Sequence, residues 1–269
     1  MTAQEKLTEK NNGQKLICVG LDSDINKIPP ILKSESKPVL NFNKAIIEAT
    51  SNYAAAYKLN FAFYEKAGAK GFDLIEETIR LIPDEVLIIA DAKRGDIGNT
   101  SQMYASAVYD YFKFDAVTIH PYMGYDSIAP FLEYKDKLNL VLALTSNKGA
   151  DDFEKLILMD GTFVYQNVIK KVNQWNTSKN CGIVFGATQS EELSKNIKLF
   201  NNLPVLLPGV GAQGGDIEEV IKLFKANNRL NLLINSSRGI IYKENSSKFA
   251  EAAEKEIIKL NETVKNILG

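Results

Sequence analysis

Eight times along this chain a short apolar run rich in Val, Ile and Leu is followed by a polar turn and then by a stretch of helical period. The runs occupy residues 15–21, 55–61, 86–90, 116–120, 140–144, 182–186, 205–207 and 232–235. They are nearly continuous in apolar character, as parallel strands covered by helices must be. Eight such units in a row predict an α/β protein whose strands close into a single TIM (β/α)8 barrel rather than a doubly wound sheet. A barrel of this kind takes about 250 residues. With 269 residues and no Pro- or Ser-rich linker, the chain is expected to form one domain over 1–269. The gaps after the first and fifth runs are long enough for extra helices or lids.

The intervening helices are legible too. Leu74, Ile75, Thr78, Ile79 and Ile82 recur at helical spacing around 72–81, and a final stripe runs through Phe249, Ala252, Ala253, Ile257, Leu260, Val264 and Ile267. Ser246 or Ser247 is available to cap that last helix.

Charge and composition then remove function classes. Lys plus Arg number 32 against 33 Asp plus Glu, so the net charge of −1 offers no broad field for a nucleic acid polymer or an acidic membrane. Any anion must be bound locally. Cys18 and Cys181, the only cysteines, sit in separate apolar surroundings and read as core residues in a reducing compartment. Residues 1–14 are polar, without the apolar centre of a signal peptide, and no stretch approaches roughly 18 uninterrupted apolar residues. A soluble, cytoplasmic protein is expected. The single histidine, His120, rules out a multi-histidine metal site and has no nucleophile motif to serve, so it reads as a structural residue. No metal site is expected, and acid–base chemistry falls to carboxylates and lysines.

In a barrel of this type the active site lies at the C-terminal ends of the strands. The third run ends in DAKRGD, residues 91–96. Asp91 and Lys93 are two apart, so on an extended chain both face the barrel mouth while Arg94 faces away. Asp96 follows Gly95 at the turn into the next helix. A purely structural reading makes Asp91 and Lys93 an ion pair and Asp96 a helix cap. Against it stands the cost of gathering two carboxylates and a lysine where charges lose solvent.

Beyond the seventh run comes PGVGAQGGD (208–216) and beyond the eighth SSRG (236–239). Glycines let backbone N–H groups approach an anion, and Arg238 offers a planar fork for phosphate oxygens, in the two loops where such barrels hold phosphate. Taken alone the glycines would mark only tight turns. Asp22 after the first run, Lys58 and Asn60 on one face of the second, and Thr145 and Ser146 after the fifth are placed to hold sugar hydroxyls and the amide edge of a heterocycle.

CVGLD, YKLN, DAKRGDIGNT, PGVGAQGGD and SSRG, in this order and spacing, resemble the orotidine 5′-phosphate decarboxylase family, and the long gaps resemble its longer subgroup (type 2), found in some bacteria and in malaria parasites. The resemblance implies decarboxylation of orotidine 5′-phosphate to UMP in pyrimidine biosynthesis by a homodimer with shared active sites, with a small-molecule nucleotide as substrate and no cofactor. It implies that Lys93 donates the proton and that Asp91 sits beside it against the substrate carboxylate. Asp96, Ile97 and Thr100 would come from the partner subunit. Asp22, Lys58 and Asn60 would contact the ribose or its neighbouring charges, Ser146 the pyrimidine, and Gln213 and Arg238, with Gly239 next to it, the phosphate. Pro208 and Ile97 would line the apolar side of the base.

The chemistry fits such a set. Loss of CO2 from C6 leaves an sp² carbanion that the ring carbonyls do not delocalise, and the sequence has no evident pyridoxal phosphate or thiamine site to take up the electrons. Fixed charge must stabilise it. Two rivals remain at this stage: a magnesium-dependent phosphosugar barrel such as hexulose-phosphate synthase, and a non-catalytic nucleotide-binding barrel.

Overall fold

The computed structural model describes residues 1–186, 190–209 and 216–269. Parallel strands β1 (Ile17–Gly20), β2 (Ala56–Asn60), β3 (Leu87–Arg94), β4 (Ala116–Ile119), β5 (Leu138–Leu144), β6 (Cys181–Phe185), β7 (Val205–Pro208) and β8 (Leu232–Ser236) pair in chain order, and β8 closes onto β1. This is the expected barrel. Around it lie α1 (Ala3–Asn12), α2 (Pro38–Thr50), α3 (Phe61–Glu65), α4 (Ala69–Ile79), α5 (Gly98–Ser106), α6 (Tyr125–Leu132), α7 (Ala150–Phe153), α8 (Val164–Trp175), α9 (Ser190–Asn196), α10 (Ile217–Ala226), α11 (Arg238–Ile241) and α12 (Phe249–Leu268).

The alternation of each strand divides the core in two. Outward side chains such as Val19, Tyr57, Val117, Val141 and Ile234 pack against the helices. Inward ones, including Cys18, Ala56, Leu87, Ile89, Leu140 and Leu206, fill the barrel. Both cysteines are buried and free, as their surroundings predict.

The polar N-terminus, read from sequence only as lacking an export signal, is a helix. Thr2 and Glu5 form a reciprocal capping box at the start of α1, and its Ala3 and Leu7 join the interior cluster and plug the N-terminal end of the barrel. Lys6 anchors it through a 2.9 Å ion pair to the largely buried Asp115. The other end stays open for function.

The long gaps carry the expected extra structure: a short 3-10 turn (Pro30–Leu32) and α2 after β1, and α7 with α8 after β5. Helix α4 starts three residues earlier than the periodic stretch beginning at Phe72, because Gly68 (φ 61°) turns the chain there. Helix α12 begins at Phe249 with Lys248 as its N-cap and no side-chain cap; Ser246 instead accepts a bond from the Lys248 N–H, and the long apolar stripe holds the helix in place. Among the described residues no helix is long and apolar enough to cross a membrane.

Candidate active site

Each strand sends one column of side chains inward, and on β2, β3, β4 and β8 the column changes from apolar to polar toward the C-terminal end. On β2 the column runs Ala56, Lys58, Asn60; on β3 Leu87, Ile89, Asp91; on β4 Ala116, Thr118; on β8 Leu233, Asn235. The polar tips surround a cavity of about 300 Å³ whose apolar floor is Leu142, Val184 and Leu206, from β5, β6 and β7.

Charges alternate in sign along one wall. Lys58 Nζ lies 3.6 Å from Asp22 Oδ1 and 2.9 Å from Asp91 Oδ2, while Asp91 Oδ1 accepts from Lys93 Nζ at 2.6 Å. The Lys58 side chain is 5% exposed and that of Asp91 11%, whereas Lys93 is half exposed, so Lys93 is the member of the row that reaches furthest into solvent. Burial opposes the Lys58 ammonium, but Asp91 and Asp22 beside it outweigh that penalty and hold its pKa above the usual lysine range. For Asp91, burial favours the neutral acid, yet Lys58 and Lys93 keep its carboxyl well below the usual carboxylate range. A fixed carboxylate thus stands beside the one lysine of the row that reaches solvent.

Asp91 and Lys93 meet for a different reason from simple alternation. Strand β3 does not stop at Ala90 but continues to Arg94, with its register against β4 shifting between Ala90 and Arg94. Lys93 occupies the left-handed region at φ 48°. This irregularity folds the lysine back onto Asp91. Arg94 does turn away from the cavity: it pairs with Glu65 and stacks over Phe61 and Tyr104.

Asp22 is set by a buried scaffold outside its own strand. Tyr64 donates to the Leu21 carbonyl at 2.9 Å and Tyr242 to the Asp22 carbonyl at 3.0 Å, while Asn43 donates to Tyr64 and accepts from Ser23. Gly20, in the motif CVGLD, lets Ser237 pack closely, because a Cβ there would lie 1.8 Å from Ser237 Oγ and 2.8 Å from its Cβ and would force Ser237 to move. The Oδ1 atoms of Asp22 and Asn235 are buried and have no hydrogen-bond partner among the described residues. Both belong to residues that line the cavity.

Of the residues singled out from sequence, the structure brings Asp22, Lys58, Asn60, Asp91, Lys93, Thr145, Ser146, Pro208 and Arg238 around this one cavity. Asn60 also caps α3 by accepting from the Ala62 N–H. Arg238 is exposed and makes no ion pair among the described residues. Gly239 lies behind it in α11, bordering a neighbouring recess rather than the central cavity. Gln213, within 210–215, falls outside the described residues.

Asp96, Ile97 and Thr100 do not border the cavity of their own chain. Ile97 is 61% exposed, and among the described residues Asp96 accepts from the Ile97 N–H and does not cap α5. His120 lies with Nε2 3.1 Å from the Gly95 carbonyl oxygen, a structural contact at the turn.

The sequence reading missed Thr118, Asn147, Asn235 and Ser237, all of which line the cavity, and Glu154, which braces it. Thr118 and Asn235 could have been found by counting two residues on from Ala116 and Leu233. Glu154, beyond the short helix α7, accepts from the Thr145 N–H at 2.7 Å and from its hydroxyl at 2.9 Å, and no local pattern announces that. Among the described residues no three His, Cys, Asp or Glu side chains gather into a metal-binding group.

The description "Orotidine 5′-phosphate decarboxylase / HUMPS family" belongs to a family model that matches residues 15–253, from just before β1 into α12. The chain belongs to this family. It is 50% identical over 256 residues to the orotidine 5′-phosphate decarboxylase of Christiangramia forsetii, covering 94% of this chain and 93% of that one. Against that of Porphyromonas gingivalis the identity is 46% over 257 residues, covering 94% and 92%. Among solved structures, the OMP decarboxylase of Leishmania donovani superposes with a TM-score of 0.84 at 33% identity, over 98% of this chain and 99% of that one. The UMP synthase of Leishmania donovani gives a TM-score of 0.86 at 35% identity; the match takes 98% of this chain but spans 57% of that longer protein. Membership in the decarboxylase family accords with a barrel whose polar residues are concentrated at one end.

Proposed function

We propose that the chain decarboxylates orotidine 5′-phosphate to uridine 5′-phosphate, in pyrimidine biosynthesis, without metal or organic cofactor. The observation that carries this reading is the alternating row Asp22, Lys58, Asp91, Lys93, with Asp91 held ionised beside the accessible lysine. The substrate carboxylate is placed against Asp91 and Lys93. As the C6–carboxylate bond breaks, its electron pair stays on C6 and the Lys93 ammonium gives up a proton to that carbon. CO2 leaves, and the lysine regains a proton from water. The row stays fixed during the reaction, so little reorganisation is needed as negative charge appears.

The remaining residues divide the nucleotide between them. Asp22, Asn60 and Asn235 present acceptors for ribose hydroxyls, Thr145 and Ser146 face the pyrimidine amide edge, and Pro208 lies against the ring. Arg238, with the glycine-rich segment that begins at Gly209, takes the phosphate. Asp96, Ile97 and Thr100 complete the site of a partner subunit in a homodimer. What supports this is their position outside their own cavity and the exposed apolar surface nearby, including Ile97, Met103 and Tyr104.

The test is direct. Purified protein treated with EDTA should consume orotidine 5′-phosphate, followed by its ultraviolet band, at an unchanged rate. No consumption at all would overturn the decarboxylase reading, and consumption lost to EDTA and restored by magnesium would overturn the metal-free mechanism.

Arg238→Ala should weaken binding of uridine 5′-phosphate about 10- to 100-fold, as expected for losing charge-assisted hydrogen bonds of about 1.5–3 kcal/mol. Uridine, which never makes that contact, should bind as before. Calorimetric titration of both ligands checks this, and an equal loss for both would place the phosphate elsewhere.

A further inference from the structure

We propose that Thr118 on β4 is the positioning residue that holds Lys93 in its reactive conformation. The inference rests on the role assigned above to Lys93. Thr118 is 1% exposed and lines the cavity at the tip of the inward column on β4. Its hydroxyl is used twice: Oγ1 accepts from the Lys93 backbone N–H at 3.0 Å and donates to Asp91 Oδ1 at 3.0 Å. The same Asp91 oxygen accepts from Lys93 Nζ. The Lys93 backbone and its ammonium are therefore linked through two side-chain oxygens in series, Thr118 Oγ1 and Asp91 Oδ1.

The tie matters because of where Lys93 sits. Its φ of 48° lies in the left-handed region that residues with a Cβ avoid, and the β3–β4 register is interrupted between Ala90 and Arg94, so the strand ladder does not hold this residue. Such a conformation persists only where the surroundings determine it. The Thr118 hydroxyl supplies the bond to the Lys93 N–H that the interrupted ladder does not. It also gives Asp91 a third partner besides the two lysines, on the same Oδ1 that accepts from the ammonium. Threonine suits this place on structural grounds as well, since a β-branched residue belongs on a strand and has few χ1 choices.

Thr118→Val keeps the shape and removes both bonds. Its kcat for orotidine 5′-phosphate should fall about 100-fold, the scale of a displacement near one ångström at a reacting group. KM and the Kd for uridine 5′-phosphate should stay within about threefold, because ground-state contacts are retained. Thr118→Ser, which restores the hydroxyl, should recover most of kcat. A crystal structure of Thr118→Val should show Lys93 out of the left-handed region or its Nζ no longer bonded to Asp91, with both features kept in Thr118→Ser. If valine prevents folding, Thr118→Ala carries the same expectations. Wild-type kcat in the valine or alanine variant, a loss confined to KM, or an unchanged Lys93 in the crystal structure would overturn the assignment, as would serine failing to restore turnover. Should the wild-type protein not turn over orotidine 5′-phosphate, the functional reading falls, while the crystallographic comparison still decides whether Thr118 holds Lys93.

Discussion

Lys93→Ala is expected to give a folded protein whose decarboxylation falls by about 10⁴-fold or more, since in the proposed mechanism one group supplies both the proton and the charge that meets the carbanion. The fold should survive, because the side chain is half exposed and its removal takes only one partner from Asp91. Lys58, buried on the other side of that carboxylate at 2.9 Å, remains to hold it ionised. Uridine 5′-phosphate should still bind, since the proposed phosphate and ribose contacts are untouched and the proposed mechanism has Lys93 act on charge that appears only in the transition state. Single-turnover kinetics, thermal unfolding and product affinity together check the three expectations. Substantial turnover by the folded variant would remove Lys93 from the mechanism.

How far the sequence carries toward this site depends on the kind of signal each residue gives. The strands were legible because parallel strands buried on both sides must be apolar throughout, and the barrel followed from their number. Asp91, Lys58 and Asp22 were legible because charges gathered at the ends of such runs lose solvent at a cost that an ion pair alone does not explain. The conformation of Lys93 was not, since alternation predicts an extended chain and the left-handed turn at the β3 irregularity depends on a hydroxyl 25 residues away on β4. Glu154 escaped for a similar reason: its bonds to Thr145 form only when the segment after β5 folds back. Helix α1 carried a local signal, the Thr2 and Glu5 box, but its role as a plug appears only once Leu7 is seen among Cys18, Ala56 and Leu87. What sequence cannot supply is contact between elements whose side chains look ordinary by themselves.

Asp96 raises the question of which chain completes the site, and it can be settled by mixing two inactive variants. Asp96 lies three residues from Lys93 but outside the cavity that Lys93 faces, beside the exposed Ile97. If Asp96 serves the partner's site, Lys93→Ala and Asp96→Ala damage different halves of each composite centre. In a two-fold heterodimer of the variants, one site then carries both lesions and the other receives Lys93 from one chain and Asp96 from its partner, both intact. Random exchange of equal amounts makes about half of the dimers mixed, so about one quarter of all sites should regain wild-type turnover. If each site were built from a single chain, every site would carry one lesion and nothing would be recovered. Exchange can be driven by dilution and reconcentration, with a mass tag on one variant to confirm mixed dimers by native mass spectrometry. Activity near one quarter of the wild-type value is the expected result. Activity that stays at the level of the separate variants, once mixed dimers are proven, would show that Asp96 acts within its own chain, and the reading of Ile97 and Thr100 as partner contacts would fall with it.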